Sequence, residues 1–358
     1  MPRYDVVNYD GNLRINTELK EENIAFYSSR HKPFKIFGLY NSKDGQAFRR
    51  VPQNVAESTS ESVKNLNLNT AGGRVRFSTD SEFIALKVLM SSLCHMPNMP
   101  LSGSSGFDMY VGDEFCKAFI PPIKIKDGYE EIYHFGSKRM RDIEINFPLY
   151  NPVDDLFIGL ETFSAVGDAP QYKYKKHVVY YGSSITQGGC ASRPGNSYQA
   201  IISRKLGCNY INFGFSGSAK GEDAIINYIA DLDMSVFVCD YDHNSPNIEH
   251  LKNTHDKIYK KMRGRNPGLP VIFVSRPDFD KNIDDASMRR EVIYETYLNA
   301  LNSGDKNVFY IDGKSLFMGE YRDCCTVDGT HPNDSGFVRM ADIIGKEIER
   351  CLKGVQRL

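Results

Sequence analysis

The feature that most constrains the fold is a regular alternation of buried-type strands and helical stretches in the second half of the chain. Short, continuous apolar runs recur there, and segments with helical spacing follow them. The runs are residues 177–181, 210–213, 236–239, 271–274 and 308–311. Strand and helix in alternation are typical of a parallel sheet covered by helices on both faces. We therefore expect a three-layer α/β/α domain in this half.

Two of the intervening segments predict helices. Residues 197–206 lie between the first and second apolar runs and carry apolar side chains at helical spacing. In residues 334–352 the apolar side chains fall on one stripe; they are Phe337, Met340, Ala341, Ile344, Ile348 and Cys351. Such a stripe predicts an amphipathic helix that packs on the sheet.

The first half of the chain has a different pattern. Its apolar segments are short, they are separated by turn-rich clusters, and residues 143–149 alternate with period two. Further strands are predicted at residues 34–40, 74–78, 83–90, 107–111 and 115–120. No amphipathic helix stands out between them. This favours an antiparallel, jelly-roll-like β-sandwich, and the chain divides into a β-sandwich domain, residues 1–172, and an α/β domain, residues 173–358.

Composition excludes several classes of function. The 358 residues include 44 Lys and Arg and 45 Asp and Glu, so the net charge is close to zero. This argues against nucleic-acid binding, because the affinity of a protein for nucleic acid comes mainly from positive side chains that neutralise phosphates. No apolar run approaches the roughly 20 residues that span a bilayer, so no membrane association is expected. The opening residues 1–8 lack the apolar core of a signal peptide. We expect a cytoplasmic protein; secretion stays open if a leader has been removed.

The eight cysteines are scattered, without the Cys and His spacing of zinc sites. Most of them are expected to be small buried residues in a reducing compartment. The sequence thus predicts neither a metal nor a cofactor, and it leaves self-association as a homo-oligomer open.

Small and polar residues gather directly after the predicted strands of the second half. These clusters are residues 182–189, 212–218, 240–245 and 328–333. Because ligands bind at the carboxyl ends of parallel strands, we expect the clusters to share one edge of the sheet. They offer a serine at a strand-to-helix turn, glycine amides, an asparagine amide and an Asp-x-x-His pair. This combination fits acyl transfer by a hydroxyl nucleophile.

In order and content, the four clusters resemble the four sequence blocks of SGNH/GDSL hydrolases. Gly182-Ser183-Ser184 resembles the Gly-Asp-Ser block, and Gly217 matches the oxyanion glycine. Asn244 matches the asparagine of the third block, and Asp328 and His331 match the final Asp-x-x-His. The resemblance covers roughly the C-terminal half of the chain.

The chain departs from the family pattern at two points. Ser183 stands where the family has aspartate, and the third block lacks its glycine. Both variations resemble those of a two-domain bacterial branch with an N-terminal β-sandwich. That branch carries a Gly-x-Asp-Leu-Tyr-like segment, which corresponds here to residues 106–110.

The resemblance implies an active site and a reaction. Ser184 would be the nucleophile, His331 the general base and Asp328 its orienting acid, while the backbone N–H groups of Ser184 and Gly217 and the side-chain amide of Asn244 would form the oxyanion hole. The implied function is a serine esterase that hydrolyses short acyl esters, preferably acetyl esters of carbohydrates, through an acyl-enzyme. The alternatives are a general short-chain acylesterase and a carbohydrate-binding protein with an inactive hydrolase domain.

Other residues have competing interpretations. Ser184 could instead cap the following helix, since serine is a preferred N-cap. His243 is a candidate substrate contact or a structural hydrogen-bonding group. Arg193 is a candidate substrate contact or a solvated loop residue. Asp108 is a candidate substrate contact or a turn residue of the sandwich.

Overall fold

The structure, a computed structural model, describes residues 17–40 and 45–354. The opening residues 1–8 considered above lie outside these ranges. The strands are β1 (Ile24–Ser28), β2 (Lys35–Phe37), β3 (Arg74–Thr79), β4 (Phe83–Leu89), β5 (Phe107–Val111), β6 (Glu114–Phe119), β7 (Gly128–His134), β8 (Arg141–Asn146), β9 (Asp155–Glu161), β10 (Val166–Gly167), β11 (Tyr174–Gly182), β12 (Cys208–Gly214), β13 (Met234–Asp240), β14 (Val271–Val274) and β15 (Val308–Ile311).

The helices include the two predicted segments. They are α1 (Gln53–Thr59), α2 (Glu61–Leu66), α3 (Leu101–Ser104), α4 (Ser184–Gln187), α5 (Tyr198–Leu206), α6 (Asp223–Ala230), α7 (Ile248–Arg265), α8 (Ile283–Asn302) and α9 (Asp334–Leu352). Helix α9 has the predicted bounds, and its buried side chains include Phe337, Ile344 and Ile348. Within the described ranges, no helix is both long and apolar enough to cross a membrane.

The chain divides into two compact units. The first unit comprises the described residues up to Arg50 together with Leu68–Gln171, and the second unit comprises Val51–Asn67 together with the described residues from Tyr172 onward. The sequence predicts a single boundary between residues 172 and 173. Along the chain the main segments of the two units change between Gln171 and Tyr172, and residues 51–67 belong to the second unit.

The first unit is an antiparallel β-sandwich, as the sequence predicts. One sheet has the strand order β1-β9-β4-β7, and the other has the order β10-β3-β8-β5-β6 with β2 paired to β3. Their inward-facing side chains form one core, because Val75 and Ile145 from the second sheet and Leu86 and Ile158 from the first are fully buried in the same cluster. Most residues of strands β3, β4 and β8 are buried, so these strands form the central part of the sandwich.

The second unit contains a parallel sheet with the strand order β12-β11-β13-β14-β15. This is the flavodoxin-like order, in which the chain steps outward from β11 first to one side and then to the other. On strand β11, Tyr181 faces the core shared with α6 and α7, while the ring of Tyr180 packs against Tyr198 of α5. Helices therefore cover both faces, as expected. The switch point lies between β11 and β13, which places a site after Gly182 and Asp240.

Helices α1 and α2 are a departure from the predicted β-rich first half. Val51, Ala56 and Val63 are buried in the core of the second unit, in the same cluster as Ile225 and Ile229 of α6. Helix α2 begins at the N-cap Ser60, whose side chain accepts a hydrogen bond from the Val63 N–H. Both helices are only about two turns long, too short to show a clear amphipathic stripe in the sequence.

Candidate active site

The first polar cluster forms a sharp turn from strand β11 into helix α4. Ser183 is the N-cap of this helix, and its Oγ accepts a hydrogen bond from the Ile185 N–H at 3.2 Å. The capping role considered for Ser184 therefore belongs to its neighbour. The Oγ of Ser184 lies instead 3.0 Å from Nε2 of His331.

This turn requires glycine at its first position. A Cβ at Gly182 would lie 2.1 Å from both the Asp240 carbonyl oxygen and the Thr186 hydroxyl. The absence of a side chain lets strand β13 and helix α4 approach the end of strand β11. The close approach sets Ser184 at the carboxyl edge of the sheet.

His331 and Asp328 lie together on the turn that precedes helix α9; we call residues 326–331 the histidine turn. His331 Nδ1 lies 2.7 Å from Asp328 Oδ2, and the other carboxylate oxygen accepts the N–H groups of Thr330 at 3.0 Å and His331 at 2.8 Å. Partial burial raises the pKa of Asp328, but the hydrogen bonds from the His331 backbone and ring outweigh burial and hold this pKa well below its usual range. An ionised Asp328 favours the imidazole tautomer that carries its proton on Nδ1. Nε2 is then an acceptor for the Ser184 hydroxyl.

The second cluster places a backbone donor at the sheet edge. Gly217 is exposed and has a φ of +66°, a conformation that favours glycine. Within the part of the chain that the structure describes, its N–H has no hydrogen-bond acceptor. The neighbouring Ser216 N–H donates to Gln187 Oε1 at 3.0 Å, which ties this loop to helix α4.

The third cluster is a short 3₁₀ turn, Asp242–Asn244, after strand β13; we call it the amide turn. Asn244 Nδ2 donates one hydrogen to the Phe215 carbonyl at 2.8 Å. Its second hydrogen has no acceptor among the described residues. The contact ties the amide turn to the loop that carries Gly217.

Two buried aspartates, Asp240 and Asp242, lie at this edge of the sheet. Burial raises the pKa of Asp240 well above its usual range, and the nearby Asp242 raises it further. Burial also raises the pKa of Asp242, while His243 and Arg276 oppose that increase. No cluster of His, Cys, Asp and Glu side chains in the described ranges has three members placed to hold a metal ion.

His243 belongs to a network that the sequence interpretation missed. Its Nε2 lies 3.0 Å from both carboxylate oxygens of Asp278, a residue that is only 4 % exposed. Asp278 also receives a bidentate ion pair from Arg276, at 2.8 and 2.7 Å, and a hydrogen bond from the Thr330 hydroxyl at 3.2 Å. Burial raises the pKa of Asp278, but hydrogen bonds from Arg276 and His243 outweigh it and hold the pKa well below its usual range.

A signal for Asp278 was present in the sequence. The residue follows strand β14 by four positions, at the same edge as the four clusters that were identified. The segment Ser275-Arg276-Pro277-Asp278 resembles no block of the family. The rule that polar residues after parallel strands meet would nevertheless have included it.

The two remaining candidates lie in different places. Arg193 is half-buried, in a loop that Ser192 and Asn196 tie to Asp334 at the start of α9. Asp108 lies inside strand β5, is fully buried and accepts a hydrogen bond from Asn146 Nδ2 at 2.9 Å. The prediction of a turn residue is therefore wrong, and a substrate contact is incompatible with a carboxylate that has no accessible surface.

Two family models cover most of the chain. Residues 175–349 match the GDSL-like lipase/acylhydrolase family, and residues 24–166 match the N-terminus of SGNH-hydrolase-type esterases, called GxDLY. The chain belongs to the SGNH/GDSL hydrolase family. It is a two-domain esterase of this family, as its sequence blocks predicted. No curated protein matches the chain.

Solved structures with both domains are similar to this SGNH/GDSL hydrolase. One, described as a GDSL-like lipase from Bacteroides ovatus, has a TM-score of 0.82 and 27 % identity, with 94 % of this chain and 99 % of that chain covered. The salicylyl-acyltransferase SsfX3 from a tetracycline biosynthetic pathway has a TM-score of 0.74 and 20 % identity over the same shares of the two chains. A family two carbohydrate esterase from Clostridium thermocellum, in complex with cellohexaose, has a TM-score of 0.59 and 14 % identity, with 80 % of this chain and 94 % of that chain covered. The last two similarities establish the shared fold.

Proposed function

We propose that this SGNH/GDSL hydrolase cleaves short acyl esters, preferably acetyl esters of carbohydrates, with Ser184, His331 and Asp328 as its catalytic triad. The observation that carries the proposal is the continuous hydrogen-bond path from Ser184 Oγ to His331 Nε2, at 3.0 Å, and from His331 Nδ1 to Asp328, at 2.7 Å. Nucleophile, base and orienting acid are thus within hydrogen-bond reach in the order that acyl transfer requires.

Acylation begins when His331 Nε2 takes the hydroxyl proton as Ser184 Oγ attacks the ester carbonyl. The resulting imidazolium is stabilised by the ionised Asp328. Collapse of the tetrahedral intermediate breaks the bond to the leaving alcohol, which receives the proton from Nε2. A water molecule then attacks the acyl-enzyme while His331 takes its proton. The carboxylic acid is released, and Ser184 Oγ receives the proton back from His331.

The negative charge on the carbonyl oxygen needs donors that are already in place. The proposed donors are the backbone N–H groups of Ser184 and Gly217 and the second amide hydrogen of Asn244. Hydrogen bonds from Ser216 to Gln187 and from Asn244 to Phe215 hold their loops before substrate arrives. Such preorganisation is the largest contribution in many acyl-transfer enzymes.

The choice of an acetylated carbohydrate rests on similarity. Structural relatives include carbohydrate esterases, one in complex with cellohexaose, and an acetyl xylan esterase, Est2A, from Butyrivibrio proteoclasticus. The two-domain plan is shared with them, which supports an oligosaccharide ester as substrate. A general short-chain acylesterase would use the same triad, so substrate comparison is required.

The test measures acetate release from acetylated xylo-, manno- and cello-oligosaccharides beside p-nitrophenyl esters of increasing chain length. We expect the acetyl esters to be the best p-nitrophenyl substrates and an acetylated oligosaccharide to exceed them in kcat/KM. Equal rates on all short p-nitrophenyl esters, with no release from the sugars, would favour the general acylesterase.

The catalytic assignment has its own test. Ser184→Ala should lower kcat by several orders of magnitude and abolish labelling by a fluorophosphonate probe. Ser235→Ala is the matched control, because Ser235 lies near the opposite end of strand β13. Wild-type activity in Ser184→Ala would refute the site, and absence of both activity and labelling in the wild type would favour the inactive, sugar-binding alternative.

A further inference from the structure

Asp278 contacts both of the segments that carry the proposed catalytic groups. On one side it binds His243, the residue next to Asn244 in the amide turn. On the other side it accepts the hydroxyl hydrogen of Thr330, the residue next to His331 in the histidine turn. These two turns follow different strands and are far apart in the sequence. Asp278 therefore connects the two turns.

Thr330 transmits this contact to the triad by its backbone. Its N–H donates to Asp328 Oδ1 at 3.0 Å, while its hydroxyl donates to Asp278 Oδ2 at 3.2 Å. Thr330 is buried, and its hydrogen bond to the buried Asp278 is shielded from bulk water. A displacement of the Thr330 side chain therefore moves the N–H that orients the Asp328 carboxylate.

The amide turn is held in a similar way. The Arg276 N–H donates to Asp242 Oδ2 at 3.2 Å, and the Arg276 guanidinium clamps Asp278. Arg276 is itself paired with Asp285 of helix α8 at 3.0 Å. The segment after strand β14 thus contacts the amide turn at two points, Asp242 and His243. The ion pair between Arg276 and Asp285 holds this segment against helix α8.

We propose that Asp278 is a positioning residue that fixes the amide turn and the histidine turn relative to each other. The oxyanion donors and the Ser184–His331 pair can then act on the carbonyl group of the same bound ester. The inference rests on the proposed esterase mechanism. Asp278 acts through Thr330 and His243. A misplacement of about 1 Å in such a site can cost about a hundredfold in rate.

The test removes the contact through Thr330, because loss of Asp278 would also leave the buried Arg276 without its main partner. Thr330→Val keeps the shape of the side chain and deletes the hydroxyl. We expect kcat for p-nitrophenyl acetate to fall about ten- to hundredfold with little change in KM, because geometry and not binding is altered. Thr330→Ser, which restores the hydroxyl, should regain most of the activity.

Two matched variants separate positioning from general stability. Thr296→Val removes another buried threonine hydroxyl, one that contacts His255 on α7, and should lower the melting temperature without lowering kcat. Lys281→Met removes the ammonium group that donates to Thr330 Oγ1 at 2.6 Å and leaves the Asp278 contact in place. A kcat close to that of the wild type is expected for both.

The double variant Asp278→Asn/Thr330→Val tests the route of the effect. If Thr330 acts through Asp278, adding Thr330→Val to Asp278→Asn should lower kcat little further. The rate of Ser184 labelling by a fluorophosphonate is a second readout that needs no natural substrate, so failure of the esterase proposal and failure of this inference can be told apart. A Thr330→Val variant that matches Thr296→Val in both kcat and labelling rate would overturn the inference.

Discussion

Two adjacent serines with the same side chain have different environments at the end of strand β11. Ser183 is extended, and its hydroxyl is used by the first turn of helix α4. Ser184 is the first helical residue, and its hydroxyl points to the imidazole of His331. This explains why serine can replace the aspartate of the family pattern at residue 183. Both residue types are good N-caps, and neither takes part in proton transfer there.

Asn244 provides a prediction at the scale of one residue. Asn244→Ala should lower kcat about 10²- to 10³-fold, with a smaller effect on KM, because it removes an oxyanion donor. The same substitution releases the Phe215 carbonyl, so the loop of Gly217 loses an anchor. Steady-state kinetics with p-nitrophenyl acetate measures the effect.

The control for this experiment is Asn247→Ala. Asn247 caps helix α7 and accepts a hydrogen bond from the His250 N–H at 2.8 Å. Its loss should cost about 1 kcal/mol of stability and leave kcat unchanged. Equal kcat values for Asn244→Ala and the wild type would exclude Asn244 from the oxyanion hole.

The site residues that could be predicted all lie in local sequence patterns. Ser184, Asp328 and His331 could be proposed from the sequence because their neighbours in the chain are constrained as well, by a tight glycine turn and by a three-residue spacing. The contacts of Asp278 with His243 and Thr330 were missed because they join side chains that follow different strands. His243 was identified, but its partner was not, since no local pattern links residue 243 to residue 278.

At the scale of elements, the second unit was more predictable than the first. A fully buried parallel strand is a continuous apolar run, which remains visible without knowledge of its neighbours. A sandwich strand such as β9 instead places partly buried residues between buried ones, which interrupts the apolar run. Strand β9 was missed, although Leu156, Ile158 and Leu160 alternate along it and are all buried. One of the turn-rich clusters between the predicted strands contains the four-residue helix α3.

The packing of helix α7 leads to a prediction of pH-dependent stability. His255 is buried between the rings of Tyr241 and Phe273, and its Nδ1 lies 3.0 Å from the Thr296 hydroxyl. Burial lowers the pKa of His255 to about 3. In the unfolded chain a histidine titrates near pH 6.5. The unfolded state therefore binds the extra proton as the pH falls below about 6.5, and the native state loses stability.

The expected loss is up to about 1.4 kcal/mol per pH unit between about pH 6.5 and pH 3. His255→Phe should flatten this slope, which chemical denaturation between pH 6.5 and pH 4.5 would measure, above the range in which most carboxylates titrate. His250→Gln, on the same helix but at a solvent-accessible position, is the control. An unchanged slope in His255→Phe would show that this imidazole does not govern acid stability.

At the scale of the whole molecule, the position of a segment along the chain does not determine which compact unit it belongs to. A boundary drawn from changes of pattern assumes that each domain is one continuous segment. The chain instead leaves the first unit after Arg50, adds helices α1 and α2 to the second unit, and returns at Leu68. Such an excursion cannot be read from a local pattern, because the apolar face of a two-turn helix does not say which core covers it.

Val63 tests whether this helix pair stabilises the hydrolase unit. It is 1 % exposed and lies in the cluster that contains Ile225 and Ile229 of helix α6. Val63→Ala removes two buried methyl groups and should lower the free energy of unfolding by about 2 kcal/mol. The temperature at which half of the esterase activity is lost should fall accordingly, even though residue 63 lies outside the segment that carries all the proposed catalytic groups. Val338→Ala is the matched control, since Val338 on α9 is 49 % exposed, and it should leave that temperature nearly unchanged. If the two variants lost activity at the same temperature, helices α1 and α2 would have no part in the stability of the active unit.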